Sequence, residues 1–290
     1  MLIGYSMPVV SAIALSGGAG YAWLTSDNGS ACYDGKPARR ARLRWRNDAV
    51  PAIGHTLSIT LDIASTPLRV VAALGLKNVP AGAKVEVYGK RAADAGTTYN
   101  FGGGNTGTVQ LFADGTAGLW FVLPAAATAV TKIEFRLFND NAGATWAIPA
   151  TTLDIGELVA MPAVEIDHEP SWTDEPVDPS LSNLSLAAQP STVRRQAYRR
   201  LECSMTPDGV AKARAGGLAN GMDWSRLRVA MFADGRVVGI VRWLTSAGAI
   251  DTAELHQTAI YGTARMGGTS HLGGNYYGAS VAFQEVPALA

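Results

Sequence analysis

The sequence has little cysteine and little charge, and both shortages exclude a class of protein. Only two cysteines, Cys32 and Cys203, occur among 290 residues, so a disulfide framework is excluded and two reduced thiols are expected. Charged residues make up 17% of the chain, and 24 basic residues balance 24 acidic ones. Because the net charge is zero, the chain is not expected to bind nucleic acid specifically.

Long hydrophobic runs are also missing. The apolar segment at residues 7–15 is too short to span a bilayer, and it lacks the basic residues that precede a signal-peptide core. We interpret it as a first β-strand. We therefore expect no membrane span and a protein that is made and kept in the cytosol until a route other than secretion carries it out.

Catalytic motifs are missing as well. The four histidines are scattered, and no HExxH, GxSxG, CxxC or Walker pattern is present. Two acidic sets remain as alternatives: Glu165, Asp167, His168 and Glu169 as a metal site, and Asp154 with Glu157 as a glycosidase pair. We interpret the first set as part of a solvated linker and the second as residues on the solvent-exposed face of a strand. The prediction is a protein without catalytic activity, metal or cofactor.

Glycine and hydrophobic residues are plentiful instead, which favours strands and turns. Residues 58–63 and 84–88 alternate polar and apolar, as half-buried strands do, whereas residues 69–76 are nearly all apolar and predict a strand covered on both faces. Strands at 119–123, 132–138 and 152–159 are expected to form a second, facing sheet. The sequence thus predicts a mainly β protein that begins with a β-sandwich.

Five arginines lie within residues 39–46, a density that suggests either a phosphate-binding arm or a strand. Arg42, Arg44 and Arg46 alternate with Leu43 and Trp45, so we interpret the segment as a strand with a solvated face.

A change in composition divides the chain into two predicted domains. Residues 166–192 are rich in proline and acidic side chains, and proline at this density does not fit inside a sheet or helix, so a linker or extended arm is expected there. The domains are then residues 1–165, of which 1–20 are able to pack with the C-terminal domain, and residues 193–290.

The second domain is expected to be mostly β and barrel-like. Strands are predicted at 193–205, 236–243, 257–266 and 279–286, with a short helix at 210–215. Residues 224–232 fit a helix or a strand, which gives one or two short helices in all. The glycine-rich segment at 267–278 is expected to be a mobile loop.

Opposite charges suggest an interface between copies. Arginine suits bidentate pairing with carboxylates, and an acidic segment precedes the basic one. The proposed interface residues are Arg194, Arg195, Arg199 and Arg200 on one copy, with Asp167, Glu169, Asp174 and Glu175 on the next.

Two resemblances to known families add to this interpretation. The order of Asp34-Gly35, an early Trp45, an apolar strand at 70–76 and closing strands at 133–137 and 153–159 resembles the galactose-binding-like jelly rolls of the discoidin type over residues 20–165. Residues 160–290 resemble the distal tail and minor tail proteins of long-tailed bacteriophages. The residues concerned are the strand at 199–201, Met222-Asp223-Trp224, Arg242-Trp243, the glycine-rich stretch 272–278 and a terminal strand at 283–285.

The second resemblance implies a structural protein of the virion tail tip. It implies a homo-oligomeric ring, commonly a hexamer, that joins the tail tube to the host-facing tip or baseplate. The implied partners are the tail tube protein, tail-tip hub proteins and a tape-measure protein, with no cofactor. The chain departs from the common arrangement because its jelly roll precedes the ring-forming part.

A carbohydrate-binding module that recognises a cell-surface glycan is the alternative. Its expected site combines an aromatic platform with amide and carboxylate groups at Asn139, Asp140 and Trp146, or lies in the loop at Asp27-Asn28.

Overall fold

The computed structural model describes residues 1–16, 22–44, 56–78, 84–91, 99–100, 106–108, 110–111, 117–138, 152–184, 190–233 and 235–287. These residues form a mainly β protein, as the sequence predicts. The first thirteen strands are β1 (Leu2–Gly4), β2 (Val10–Ser16), β3 (Ala22–Trp23), β4 (Ala41–Arg44), β5 (Thr56–Leu76), β6 (Lys84–Arg91), β7 (Tyr99–Asn100), β8 (Thr106–Thr108), β9 (Gln110–Leu111), β10 (Ala117–Phe138), β11 (Thr152–Ile155), β12 (Glu157–Met161) and β13 (Ala163–Glu165).

The remaining part of the chain combines strands with short helices. Its strands are β14 (His168–Val177), β15 (Leu181–Leu184), β16 (Pro190–Val193), β17 (Tyr198–Met205), β18 (Val237–Ile240), β19 (Ala259–Met266), β20 (Ser270–Gly273) and β21 (Tyr276–Glu285). Its α-helices are α1 (Pro207–Arg214), α2 (Trp224–Ala233) and α3 (Thr252–Thr258), one more than expected. No helix of the described residues is long and apolar enough to cross a membrane.

Two long antiparallel strands, β5 and β10, organise the first sheet. They pair along their whole lengths, and the path of the sheet is β12-β5-β10-β6-β7, with β2 added to β5. Register shifts interrupt the pairing between Val122 and Lys132, and such bulges bend strands. Both halves of β5 therefore contribute to a single core, which contains Leu57, Ile59, Val71 and Ala73.

The predicted division of this region into two facing sheets is wrong in one respect. The strands expected at 119–123 and 132–138 are parts of β10, which pairs directly with β5 in the same sheet. The facing layer is instead the small sheet β11-β4-β3, which adds Leu43 and Leu153 to the core. β4 alternates between buried and exposed residues, which confirms residues 41–44 of the arginine-rich segment as a strand, while Trp45 and Arg46 lie outside the described residues.

The second sheet is antiparallel and follows the order β13-β1-β18-β19-β21-β17-β14. Helices α1 and α2 pack on one face through Val210, Trp224 and Leu227, which contact Leu201 and Phe283 in one cluster. Residues 224–232, which fit either a helix or a strand by sequence, are helical. The prediction of a mobile loop at residues 267–278 is wrong, because most of these residues form the hairpin of β20 and β21.

The second sheet takes one of its central strands from the start of the chain. β1 lies between β13 and β18, with Leu2 opposite both Glu165 and Ile240. β2 instead joins the first sheet beside β5. The first sixteen residues therefore contribute strands to both sheets.

The predicted linker is structured. Residues 168–177 form β14, the edge strand of the second sheet, which pairs with β17, and residues 181–184 and 190–193 form a hairpin. The expectation that its prolines exclude a strand is wrong because Pro170 and Pro176 lie on an edge, where missing N–H groups cost the ladder little.

The two sheets share an apolar interface. Trp120, Val159 and Met161 of the first sheet form one buried cluster with Val238 and Tyr261 of the second. We therefore treat the two halves as one packed body.

Candidate functional site

Half of the predicted interface residues are paired within the chain. Nη2 of Arg199 lies 2.5 Å from Oδ2 of Asp174, and Nη1 of Arg200 lies 3.7 Å from Oε1 of Glu175. β14 and β17 are neighbours, so the acidic and basic segments meet across one antiparallel pair. Arg199 also donates to the carbonyl of Ala259 at 3.3 Å. These four charges are thus satisfied without a second copy.

The other half has no such partners. Arg194 and Arg195 are exposed beyond the end of β16, and Asp167 and Glu169 lie at the start of β14. The charge of Arg194 acts on Asp178, and that of Asp167 on the N-terminal ammonium of Met1, but none of the four residues makes a direct ion pair with another described residue. β14 is ten residues long, which puts its ends roughly 30 Å apart at about 3.3 Å per residue. The two unpaired groups therefore lie at opposite ends of one edge.

The hairpin of β15 and β16 pairs only with itself. Its four cross-strand pairs run from Leu181 opposite Val193 to Leu184 opposite Pro190, and no further strand of the described chain joins them. Leu181 is 51% exposed and Val193 is 55% exposed. At the hairpin base, the Arg195 amide donates to Oγ of Ser180 at 2.9 Å. The hairpin thus presents an apolar pair beside two arginines.

The two residues of the predicted glycosidase pair, Asp154 and Glu157, do not lie on a solvent-exposed strand face. Asp154 is bound by Arg42, whose Nε and Nη2 lie 2.6 and 2.8 Å from its carboxylate oxygens. Glu157 is 0% exposed. The alternation used in the prediction fails because β12 is buried on both faces, between the core of the first sheet and the interface of the two sheets.

Glu157 is held at that interface by neutral donors. The amide of Gly35 donates to both its oxygens, at 3.2 and 3.1 Å, and the Tyr261 hydroxyl donates at 3.2 Å. Burial raises the pKa of Glu157 from its ordinary 4.5 to about 8, and nearby Asp34 adds to the rise. Glu157 is therefore a buried, mainly protonated link between the two sheets.

The predicted metal set does not converge. Glu165 pairs with Nη2 of Arg69 at 2.9 Å, while the carbonyl of Asp167 accepts from the Thr206 amide. Within the described ranges, no group of three His, Cys, Asp or Glu residues could hold a metal ion. The glycan candidates Asn139, Asp140 and Trp146 lie outside the described residues.

Part of the second sheet has an uncovered face. The first sheet covers the back of β1, β18 and the start of β19, at Ala259 and Tyr261, but the back of the rest of β19 and of β21, β17 and β14 faces solvent with mostly polar side chains. We call these residues the open face: Thr173, Glu175, Arg200, Glu202, Thr263, Arg265, Ala282 and Gln284. A cavity of about 270 Å³ lies on it.

Sequence analysis missed the hairpin and the open face. The alternation of Thr263 and Arg265 around Ala264 was a usable signal for a half-exposed strand. Leu181 and Val193 gave none, because nothing in one sequence shows that an apolar residue is left uncovered.

Comparison with known proteins gives limited similarity. No protein-family model matches the chain, and no curated protein sequence does. It is similar to CBM32-1 from a family 31 glycoside hydrolase of Clostridium perfringens, with 15% identity over 54% of this chain and 96% of that one, at a TM-score of 0.34. It is also similar to CBM32-3 from a family 31 glycoside hydrolase of the same organism, with 13% identity over 51% of this chain and 90% of that one, at a TM-score of 0.33. These values place the chain in no family.

Proposed function

We propose that this protein is a structural subunit that assembles head to tail with copies of itself and catalyses no reaction. The observation that carries the proposal is the pair of unpaired charged groups at opposite ends of β14. Arg194 and Arg195 cannot reach Asp167 and Glu169 of their own chain, because the length of β14 separates them. Two copies placed end to end bring the groups together.

The hairpin supports the same contact. A two-stranded hairpin alone is marginally stable in water, and this one exposes Leu181 and Val193 next to the arginines. Burying these two side chains against a neighbouring copy would stabilise the hairpin and the contact together. The β14 edge itself is a poor surface for pairing, since Pro170 and Pro176 interrupt its donors.

A head-to-tail contact joins two different surfaces of the same chain. Such contacts close into a ring when the rotation between copies divides a full turn, and otherwise continue as a filament. Closure suits the tail-tip ring that the resemblance of residues 160–290 implies. In this proposal the ring lies in the virion tail tip, between the tail tube and the host-facing tip.

Charge reversal tests the contact. We expect the wild-type chain to sediment as an oligomer and R194E/R195E as a monomer. The compensating variant D167R/E169R should also be monomeric alone, and an equimolar mixture of the two variants should assemble again into oligomers of alternating copies, because both contacts then pair opposite charges. R228E is the matched control, since Arg228 is exposed on α2 away from the hairpin. A monomeric wild type, or an unchanged mass of R194E/R195E, would contradict the proposal.

The place in a virion needs a separate test. Antibodies against the chain should label one end of the tail of the phage whose genome encodes it, in negative-stain images. Labelling of the capsid, or of no particle, would reject the tail-tip assignment while leaving self-assembly standing.

Binding of a surface glycan through Asn139, Asp140 and Trp146 remains the alternative prediction. A glycan array on which wild type binds and W146A does not would favour it.

A further inference from the structure

The open face carries a second feature that self-assembly does not use. Its side chains form two rows of directly paired residues across four strands. The first row is Glu175, Arg200, Gln284 and Thr263, and the second is Thr173, Glu202, Ala282 and Arg265. Neighbouring strands lie about 4.8 Å apart, so each row is a close-set line of polar groups.

Ala282 leaves a gap in the second row. Its methyl group is short, whereas the residues around it, Arg200, Gln284, Thr263 and Arg265, have longer polar side chains. All five line the cavity of about 270 Å³, together with Tyr198. The cavity is therefore a cup with a small apolar floor and polar walls.

The two arginines of the cup differ in their charge balance. Arg200 pairs with both Glu202, at 3.2 Å, and Glu175, at 3.7 Å, so these three groups together carry one net negative charge. Arg265 is exposed and makes no ion pair with any described residue. The cup thus offers one free positive charge, flanked by two carboxylates that are already engaged.

This balance selects the charge of a ligand. A polyanion such as nucleic acid or an acidic peptide would meet Arg265 favourably but would be repelled by Glu175 and Glu202. A ligand with one carboxylate and several hydroxyls fits better, because Thr263, Tyr198 and Gln284 supply neutral donors and acceptors.

We propose that this cup binds one acidic sugar residue of the hexuronic acid class. Arg265 pairs with the sugar carboxylate, and Gln284 and Thr263 bond its ring hydroxyls over the floor at Ala282. The proposal goes beyond self-assembly and does not depend on it. It also differs from the predicted glycan site, which lies in the first domain.

Saturation-transfer difference NMR on the full chain tests the proposal, since it detects weak ligands of large assemblies. The probe is methyl β-D-glucuronide, with methyl β-D-glucoside and acetate as comparators. We expect a saturable signal for the glucuronide, and a dissociation constant at least about tenfold weaker for both comparators, because each lacks half of the contacts.

Two variants locate the binding. R265Q removes the free charge and A282L fills the cup, and each should weaken glucuronide binding at least about tenfold. R228Q is the matched control, because Arg228 lies on α2, across the sheet from the cup. Circular dichroism melting checks that all three variants fold.

Four results would overturn the proposal. The first is the absence of a glucuronide signal. The second is glucuronide binding by R265Q and A282L that is as strong as binding by the wild type. The third and fourth are an affinity for the glucoside, or for acetate, that equals the affinity for the glucuronide. Binding seen only in the dissociated R194E/R195E variant would show that a second copy fills the cup, and would also overturn it.

Discussion

At the scale of single residues, Glu157 links protonation to stability. The folded state raises its pKa from 4.5 to about 8, so between these values the folded chain holds a proton that the unfolded chain releases. The stabilisation is complete below pH 4.5 and is lost as the pH rises through 8. Its slope is at most roughly 1.4 kcal/mol per pH unit.

Glu157→Gln tests this link. Glutamine keeps an oxygen to accept from Gly35 and Tyr261 but cannot ionise. We expect the difference in unfolding free energy, wild type minus variant, to fall between pH 5 and pH 8 in urea titrations. E175Q, at an exposed glutamate, should follow the wild type. Parallel curves for wild type and E157Q would contradict the expectation.

The same residue shows what sequence patterns can predict. Asp154 and Glu157 were placed on a solvated strand face, and both are buried. Alternation reports one covered face, but β12 is covered on both, by the core of the first sheet on one face and by the cluster shared with Val238 and Tyr261 on the other. Such burial depends on tertiary contacts that no local pattern contains.

At the scale of elements, β14 shows how an edge strand is protected. Pro170 and Pro176 remove two backbone donors from the edge strand of the second sheet, and acidic side chains accompany them. We expect P170T/P176T to aggregate at concentrations where a solution of the wild-type protein remains clear, because the restored N–H groups permit edge pairing.

Static light scattering over a concentration series measures this effect. P179T is the control, since Pro179 lies beyond the end of β14. Equal scattering by P170T/P176T and P179T would show that the prolines do not protect the edge.

Elements with strong local patterns were predicted best. The alternation at 58–63 and 132–138 and the apolar run at 69–76 all correspond to strands. Their continuity was missed, because the segment around Ser65 and Pro67 has the composition of a turn although it lies within β5. Bulges absorb that irregularity, and their positions depend on the partner strand.

At the scale of the whole molecule, the shared interface predicts cooperative unfolding. Leu2 is fully buried in the cluster that joins the two sheets, so both lose support when it is shortened. We expect one transition in scanning calorimetry. Leu2→Ala should lower the stability of the whole chain by roughly 2 to 5 kcal/mol.

Hydrogen exchange shows whether the two sheets lose amide protection together or separately. In Leu2→Ala, amides of β5 and β21 should lose protection together, whereas Leu24→Ala should change neither, since Leu24 is 41% exposed. Two calorimetric transitions, or faster exchange in β21 alone, would contradict a single cooperative body.

The position of β1 sets the order of events during synthesis. Leu2 leaves the ribosome 163 residues before its partner Glu165 in β13 and 238 residues before its other partner, Ile240 in β18. At roughly 5 to 20 residues per second, the nascent first strand waits on the order of 10 to 50 s for its neighbour. A chaperone that shelters β1 while the rest of the chain is synthesised would therefore improve the yield of folded protein more than one that acts after release.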